Sequence, residues 1–196
     1  MASKRQKQTI SSNPRTDVVD AALALAAKRD WANVTMGDIA EEAGISLSAL
    51  SQMFDGREDI LAAYARRVDA DVLESYGQGG GGSHRDCLFD ILMERFDRLN
   101  RDREAVVSIL GSFCADPKQM VIALPHLGRS MAWMLEACGI ETTGWRGAAR
   151  VLGLSVIYLA AMRQWKDDES PDMAKTMASL DRSLARTERW AETFGI

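Results

Sequence analysis

The sequence predicts an all-α protein, and three observations support that prediction. Apolar residues recur three and four positions apart along most of the 196 residues. The chain holds only four prolines, and no segment alternates between apolar and polar residues as a half-buried strand would. Because 46% of the residues are hydrophobic and 27% are charged, the chain can bury a core, which argues against a wholly disordered protein.

The first helix is marked at its start and along its length. Asn13 can cap it, and Pro14 suits the first helical position because its missing N–H would have no partner there. Val18 and Leu25 belong to an apolar series at helical spacing that continues to about Lys28.

Two short helices joined by a glycine follow. Thr35 begins a Thr-x-x-Asp capping pattern that opens a helix over about residues 36–43. Gly44 then suits the left-handed position that ends many helices, and Ser46 can cap a second helix over about residues 47–53. This order predicts a helix-turn-helix, whose second helix enters the major groove of DNA in proteins that read DNA.

A longer helix and a glycine-rich segment follow that unit. Asp55 and Glu58 predict a capping pair at the start of a helix that reaches about Ser75. The segment GQGGGGS contains five glycines among seven residues, which disfavours regular structure. The sequence therefore predicts four parts: a flexible basic arm at 1–12, a helix-turn-helix domain with its connecting helix at 13–76, a linker at 77–83, and a second helical domain at 84–196.

The second domain is predicted to be helical to its end. Its third helix is expected over the segment LPHLGRSMAWMLEACGI, which runs from Leu124 and ends near Gly139. The segment from Gly144 to Trp165 is apolar on nearly all sides, which predicts a central helix covered on several sides. In the last helix, apolar residues alternate steps of three and four, a seam that suits a bundle or a dimer.

The charge pattern disfavours a strong general attraction to DNA. The net charge is −4, from 24 basic and 28 acidic residues, so there is no overall cationic field. From Trp31 to Asp55 the chain contains no lysine or arginine, whereas the basic residues of segment 1–16 are accompanied by no acid. We expect any grip on phosphate to come from this arm and from isolated arginines, although such an arm is more often a solubilising tail.

The N-terminal block resembles the TetR family of bacterial one-component regulators, without gaps over about 47 positions. The resemblance is carried by VVDAALALAAKRDW, TMGDIAEEAGIS and ALSQMFDGREDIL. It implies a three-helix DNA-binding unit, a long connecting helix, and a helical domain for ligand binding and dimerisation. It also implies operator DNA, a homodimer and a small ligand as partners, and no cofactor.

The resemblance assigns roles to eight positions. Arg15, Thr35 and Arg57 match backbone-contact positions, and Gln52 is the best candidate base reader because its amide can pair bidentately with adenine. Leu47, Ser48 and Ser51 depart from the residues that the family usually carries. The implied DNA-binding residues are Arg15, Thr35, Ser46, Leu47, Ser48, Ser51, Gln52 and Arg57.

The C-terminal domain resembles a second family, the lipid-binding accessory proteins of ubiquinone biosynthesis, which share the TetR-like fold. The segments LFDILMERFDRLNRDREAV, SMAWMLEACGI and DDESPDMAKTMASLDRSL carry this resemblance. It implies an apolar cavity, an isoprenoid or quinone-like ligand, and membrane contact through the last helix. It leaves open an alternative function, a lipid-binding accessory protein that keeps the fold without reading DNA.

Two sets of apolar residues are candidates for function in this domain, although any single one of them is expected to belong to the plain core. Flexible methionines and aromatic residues suit an adaptable ligand cavity. The candidate ligand-binding residues are Met131, Trp133, Met134, Trp145, Tyr158, Met162 and Trp165. The candidate dimer residues, on the last helix and together with the apolar helix before it, are Met173, Met177, Leu180 and Leu184.

The remaining residue types favour neither catalysis nor metal binding. His84 and His126 are too few and too far apart for a metal site, and no triad spacing occurs, so we expect no enzyme. The three cysteines lie far apart in apolar helical patterns, which predicts reduced thiols in a cytoplasmic protein. The uncharged run from Val151 to Met162 is too short to span a bilayer.

Overall fold

A computed structural model of the chain describes residues 13–77, 82–115 and 117–194, and describes only the backbone of residues 114, 115, 117–120 and 187–194. All regular structure in these ranges is helical, as predicted. The predicted N-terminal arm lies outside the described residues, as does most of the glycine-rich linker. The N-terminal elements are α1 (Pro14–Lys28), a 3₁₀ turn (Trp31–Asn33), α2 (Met36–Glu42), α3 (Leu47–Ser51) and α4 (Arg57–Tyr76).

The predicted signals at the ends of the first helices are confirmed. The Asn13 side-chain oxygen accepts a hydrogen bond from the backbone N–H of Arg15 at 3.1 Å. Ser46 caps α3 by accepting from the backbone N–H of Ala49 at 3.1 Å. Gly44 has a φ of 69°, a left-handed conformation that a residue with a Cβ adopts only at a cost. The turn between α2 and α3 is therefore the one that the sequence predicted.

The predicted start of α4 is wrong. Asp55 and Glu58 were expected to cap this helix as a pair, but the residue that precedes its first turn is Gly56. Gly56 has extended backbone and offers no side chain to the helix. The first turn instead carries Glu58 and Asp59, whose negative charges favour the positive end of the helix dipole.

The C-terminal half contains five helices among the described residues. The third of them begins earlier than predicted, because the helix continues through Pro125 although a proline there removes one backbone hydrogen bond. The five are α5 (His84–Arg101), α6 (Arg103–Ala115), α7 (Pro117–Ala137), α8 (Gly144–Lys166) and α9 (Ala174–Phe194).

Helix α4 belongs to both halves of the molecule. It packs against α1 on one side and against α5 and α7 on the other, and α1 also packs against α6. The 3₁₀ turn after α1 packs against α6 as well, and there the backbone N–H of Trp31 donates to the hydroxyl of Ser108 at 3.0 Å. The linker thus joins two helices that contact each other, and these contacts oppose independent movement of the two predicted domains. The boundary at 77–83 stays a prediction.

Two of the three cysteines form a disulfide, which corrects the expectation of unpaired thiols. Cys87 lies in the first turn of α5 and Cys138 lies directly after α7, with their Cα atoms 5.7 Å apart. They are 51 residues apart in sequence, so the pairing depends on how α5 packs against α7 and is not visible in the local pattern. The side chain of Cys114 lies outside the described residues.

Helix α8 is covered by its neighbours on one face and carries exposed apolar residues on another. Trp145 and Leu152 are 71% and 66% exposed, and Val156 and Leu159 are 60% and 45% exposed. The four residues form one stripe along the helix, which we call the α8 stripe, because their spacings are close to multiples of the helical repeat. The opposite face of α8 is buried. Within the described part of the chain, no helix is long and apolar enough to cross a membrane.

Candidate functional site

The exposed surface of α3 carries most of the residues that the sequence assigned to DNA reading. Leu50, on the inner side of α3, is fully buried and anchors the helix. Leu47, Ser48, Ser51 and Gln52 are all exposed on its outer side. The hydroxyl of Ser51 donates to the backbone carbonyl of Ser48 at 2.9 Å, so it is partly used within the helix. The amide of Gln52 stands at the end of α3, where it can reach an external partner.

Thr35 is held at the start of α2 by a reciprocal pair of capping contacts. Its hydroxyl accepts from the backbone N–H of Asp38 at 3.2 Å and donates to the Asp38 carboxylate at 2.7 Å. The carboxylate also accepts from the backbone N–H of Thr35 at 2.8 Å and lies 2.9 Å from the guanidinium of Arg29. Hydrogen bonds from the Thr35 side chain, the Thr35 backbone and Arg29 lower the pKa of Asp38 to about 2. The capping box therefore carries a negative charge and fixes the start of α2.

The two arginines predicted to hold phosphate already contact the protein itself. Arg15 donates from Nη1 to the backbone carbonyl of Met53 at 2.6 Å, and its guanidinium lies 4.3 Å from the centre of the Phe54 ring. Arg57 donates from Nη1 to the carbonyls of Trp31 and Val34, at 2.8 and 2.7 Å. These contacts stabilise the turns around α2 and α3. A phosphate contact at Arg15 or Arg57 stays a prediction. Such a contact would use the N–H groups that do not take part in these bonds.

The other basic residues in the described N-terminal part, residues 13–77, are paired with acids. Lys28 lies 3.1 Å from Glu42, and Arg29 contacts Asp38 as described above. The guanidinium of Arg67 lies 2.6 Å from a carboxylate oxygen of Asp20, and Arg66 lies 3.7 Å from Asp59. All six basic side chains of residues 13–77 therefore have an internal partner, so this surface attracts phosphate less than its residue count suggests.

An apolar cavity of about 550 Å³ lies between α4, α5, α6, α7 and α8. A volume of this size is typical of small-molecule sites in proteins. Leu61, Ile109 and Phe113 are among its apolar walls, and Arg163 and Lys166 are exposed residues of its lining. Because α4 forms one wall and also follows the helix-turn-helix directly, the cavity adjoins the element that connects the two halves.

A buried ionic group forms part of the cavity wall. The guanidinium of Arg95 lies 2.9 Å from the carboxylate of Asp69, and both side chains are less than one-tenth exposed. Ser130 donates to the second oxygen of Asp69 at 2.5 Å, and the Tyr158 ring centre lies 5.3 Å from the guanidinium. Burial alone would lower the pKa of Arg95, but Tyr158 and Asp69 oppose it, and its pKa lies above the ordinary arginine value. Arg95 is therefore a buried cation on an otherwise apolar wall.

Only two of the predicted ligand-binding residues line this cavity, Tyr158 and Met162. Met131, Met134 and Trp165 are buried in the core away from the lining, whereas Trp133 and Trp145 are 50% and 71% exposed. The five residues outside the lining are thus used for packing or face outward in the protomer.

Sequence reasoning missed the polar part of the cavity, although a signal was present. Arg95 occupies the same helical face as the apolar residues Leu88, Leu92 and Leu99, so it interrupts a hydrophobic stripe. Asp69 lies one turn before Val72 and is buried like it. A charged residue at a core position of a helix predicts a buried partner of opposite charge. Here Arg95 and Asp69 are partners of each other.

The predicted dimer residues, three on α9 and Met173 directly before it, face mostly inward. Met173, Leu180 and Leu184 are at most 5% exposed within the protomer, whereas Met177 is 41% exposed. The three buried residues pack the core of their own chain, so among the four only Met177 is accessible to a second copy. The α8 stripe supplies a larger exposed apolar surface next to α9, with which α8 packs.

The histidines have separate places. His84 is exposed at the start of α5, and His126 is among the residues that line the cavity. Within the described ranges, no group of three or more histidine, cysteine, aspartate or glutamate side chains is arranged to hold a metal ion.

Comparison with known proteins identifies the N-terminal unit and the fold. Residues 18–64 match the family model described as bacterial regulatory proteins, tetR family. No curated protein matches the chain, so the resemblance to ubiquinone-biosynthesis proteins stays a prediction.

Solved structures with the same fold cover most of the chain. A TetR transcriptional regulator from Nitrosomonas europaea is similar over 88% of this chain and 96% of its own, with 24% identity and a TM-score of 0.70. A TetR transcriptional regulator from Rhodococcus sp. RHA1 is similar over 88% and 94%, with 18% identity and a TM-score of 0.64. Thermus thermophilus FadR, a TetR family transcriptional repressor in complex with lauroyl-CoA, is similar over 87% and 93%, with 18% identity and a TM-score of 0.58.

Proposed function

We propose that this chain, which carries the N-terminal domain of the tetR family and has the TetR fold, is a dimeric DNA-binding regulator that responds to an apolar ligand. The single observation that carries the proposal is the outer surface of α3. It presents the amide of Gln52 and the hydroxyl of Ser48 on a short helix that Ser46 caps. Short polar side chains on such a helix suit hydrogen bonds to base edges in the major groove.

The internal pairing of the basic residues bears on how such binding would work. Because six basic side chains of residues 13–77 already have partners, affinity would depend on base contacts and on the basic arm at 1–12. Protein–DNA affinity falls with salt in proportion to the phosphates neutralised. We therefore expect a shallow salt dependence for the helix-turn-helix itself, and a steeper one where the arm contributes.

The cavity supplies the site for a regulating ligand. Its wall includes Glu58 and Leu61 from the first turns of α4, next to Arg57, which bonds the turn before α2. A ligand that displaces α4 would therefore move the helix-turn-helix. Such a ligand regulates DNA binding only if its affinity for the protein differs between the two positions of α4.

The α8 stripe supports a dimer of two copies of this chain. From Trp145 to Leu159 the stripe extends about 21 Å along the helix, at 1.5 Å per residue. An exposed apolar surface of this kind typically marks an interface. Two copies related by a twofold axis would place the same stripe on both sides, and Met177 lies on the helix that packs beside it.

The proposal is tested by measuring DNA binding in two salt concentrations. Labelled DNA from the region upstream of the protein's own gene is titrated with wild type, Gln52→Ala and the matched control Gln164→Ala, an exposed glutamine of α8. We expect sequence-selective binding for wild type and the control, and a loss of about tenfold or more for Gln52→Ala. If wild type shows no selectivity at low salt and Gln52→Ala behaves like it, the regulator function is refuted.

The paired basic residues favour one alternative, a lipid-binding accessory protein with the same fold and no DNA reading. Under this alternative, isoprenoid or quinone-like lipids occupy the cavity and the last helix contacts a membrane. Mass spectrometry of lipids that co-purify with the full chain tests it together with the DNA titration. Bound lipid without selective DNA binding would favour the accessory function, whereas selective DNA binding would exclude it.

A further inference from the structure

The cavity wall contains hydrogen-bond donors that the protein leaves unused. Arg95 lines the cavity and is 5% exposed. Within the described part of the chain, neither Nε nor Nη1 of Arg95 makes a hydrogen bond of good geometry, although Nη1 lies 2.9 Å from Asp69. A guanidinium has five N–H groups, and a buried donor without an acceptor costs free energy. Both atoms have almost no accessible surface, so an oxygen on a molecule in the cavity would have to accept from the remaining guanidinium nitrogen, Nη2.

The charge of the site decides which oxygen fits. Arg95 and Asp69 form an ion pair with no net charge, and the hydroxyl of Ser130 donates to the Asp69 carboxylate. A ligand carboxylate at Arg95 would lie beside the buried charge of Asp69, and two carboxylates repel each other strongly in a site of low dielectric. A neutral oxygen acceptor avoids this repulsion and still accepts from the guanidinium.

The rest of the lining restricts the remainder of the molecule. The walls next to Arg95 are formed by Leu61, Leu99, Val106 and Met162, which offer no hydrogen bonds from their side chains. Apolar surface on the ligand is therefore favoured everywhere except near the guanidinium, because its transfer out of water contributes favourably to binding.

We propose that the cavity binds an apolar molecule through a neutral carbonyl oxygen, of a ketone, ester or quinone, that accepts a hydrogen bond from Arg95. This inference rests on the proposed ligand-binding function and names the chemistry of its ligand. Asp69 acts as the positioning residue that keeps Arg95 in place and excludes anionic ligands. Arg163 and Lys166 also line the cavity, but they are exposed, so solvent screens their attraction for an anion.

Three probes with the same twelve-carbon acyl or alkyl chain test the proposal on the full-length protein at pH 8. They are methyl dodecanoate, dodecanoate and dodecane, each measured by displacement of the apolar dye Nile red. We expect methyl dodecanoate to bind at least about tenfold more tightly than dodecane, as a hydrogen bond from a charged donor implies. We also expect it to bind more tightly than dodecanoate, because the carboxylate meets Asp69. Equal binding of the ester and the alkane, tighter binding of dodecanoate, or binding of none of the three would overturn the proposal.

Two variants separate a specific role of Arg95 from general damage to the fold. Asp69→Asn removes the negative charge and leaves Arg95, so we expect dodecanoate to gain at least about tenfold while the ester changes little. Arg95→Met combined with Asp69→Asn removes both charges, and we expect the ester to lose its advantage over dodecane. Arg129→Gln, a change at an exposed arginine of α7 outside the cavity lining, should leave the wild-type order intact. A double variant that folds, as judged by circular dichroism, and keeps the ester preference would contradict the role of Arg95.

These measurements are independent of DNA binding. If the ester preference holds and no selective DNA binding is found, the ligand chemistry stands and the regulator function fails. If selective DNA binding is found while the three probes bind equally, the regulator function stands and the carbonyl proposal fails.

Discussion

The guanidinium of Arg15 donates to the backbone carbonyl of Met53 at 2.6 Å, which ties the first turn of α1 to the chain just after α3. The same guanidinium lies over the ring of Phe54, 4.3 Å from its centre, and Phe54 is buried. Arg15 thus fixes the position from which α3 presents Gln52 to its surroundings. In this structure, Arg15 therefore serves first to hold α3 in position.

Replacing Arg15 should lower stability more than replacing an arginine in a plain surface pair. Arg15→Ala removes a hydrogen bond from a charged donor and a cation–π contact, so we expect a loss of about 1–2 kcal/mol in the free energy of unfolding. Arg66→Ala is the matched control, because Arg66 contacts Asp59 at 3.7 Å on the surface and such pairs contribute at most about 1 kcal/mol. Urea unfolding followed by circular dichroism measures both. Equal losses for the two variants would contradict the positional role of Arg15.

The capping box of α2 should make the helix-turn-helix sensitive to acid. The pKa of Asp38 is lowered to about 2, below its value of about 4 in an unfolded chain. The stabilisation from its charged form is therefore complete above about pH 4 and is lost as the pH falls towards 2. Thr35→Ala removes one donor to the carboxylate, so we expect a higher pKa for Asp38, measured by NMR of the carboxyl carbon.

Ser46→Ala is the control for that measurement. It removes the cap of the next helix, at a typical cost of about 1 kcal/mol, but Ser46 makes its capping contact with Ala49 and not with Asp38. We expect the pKa of Asp38 to be the same in this variant as in wild type. A shift of equal size in both variants would mean that the pKa reports general loosening and not the Thr35 contact.

The sequence predicted the helix-turn-helix well because its signals are local. A cap such as Asn13 or Ser46 contacts a backbone N–H two or three residues away, so the pattern of letters contains both partners. Gly44 is equally local, since a left-handed backbone is a property of one residue. The failure at Asp55 and Glu58 also follows from local geometry, because Gly56 takes the position before the helix.

The functional contacts of the second half depend on packing that no local pattern contains. Asp69 is 26 positions from Arg95 and 61 from Ser130, and the three meet only because α4, α5 and α7 pack side by side. Helical periodicity places each residue on the inner face of its own helix, but it does not decide which inner faces meet. For the same reason, the sequence indicated that Met131 and Met134 are buried, but it did not indicate that they lie outside the cavity.

Reducing the disulfide should destabilise the protein without changing its fold. The bond between Cys87 and Cys138 closes a loop of 51 residues, and a loop of that length is worth about 4 kcal/mol in the chain-entropy account, with about 2–4 kcal/mol typical of measurement. We expect the urea midpoint to fall when a reductant is added to wild type. Cys87→Ser should already have the lower midpoint and should not respond to reductant, whereas Cys114→Ser should respond as wild type does. Two free thiols at these positions in the untreated protein, found by mass spectrometry after alkylation, would contradict the pairing.

A charge placed in the α8 stripe should separate the proposed dimer into monomers. Val156 is 60% exposed at the middle of the stripe, so in a twofold dimer Val156→Glu would bury two uncompensated carboxylates in an apolar interface, one from each copy. Val121 on α7 is the matched control, because it is a 64% exposed valine outside both the stripe and the cavity lining. We expect sedimentation velocity to give a dimer for wild type and Val121→Glu and a monomer for Val156→Glu, with unchanged helical content. A Val156→Glu protein that stays dimeric at micromolar concentration would mean that the two copies meet through another surface.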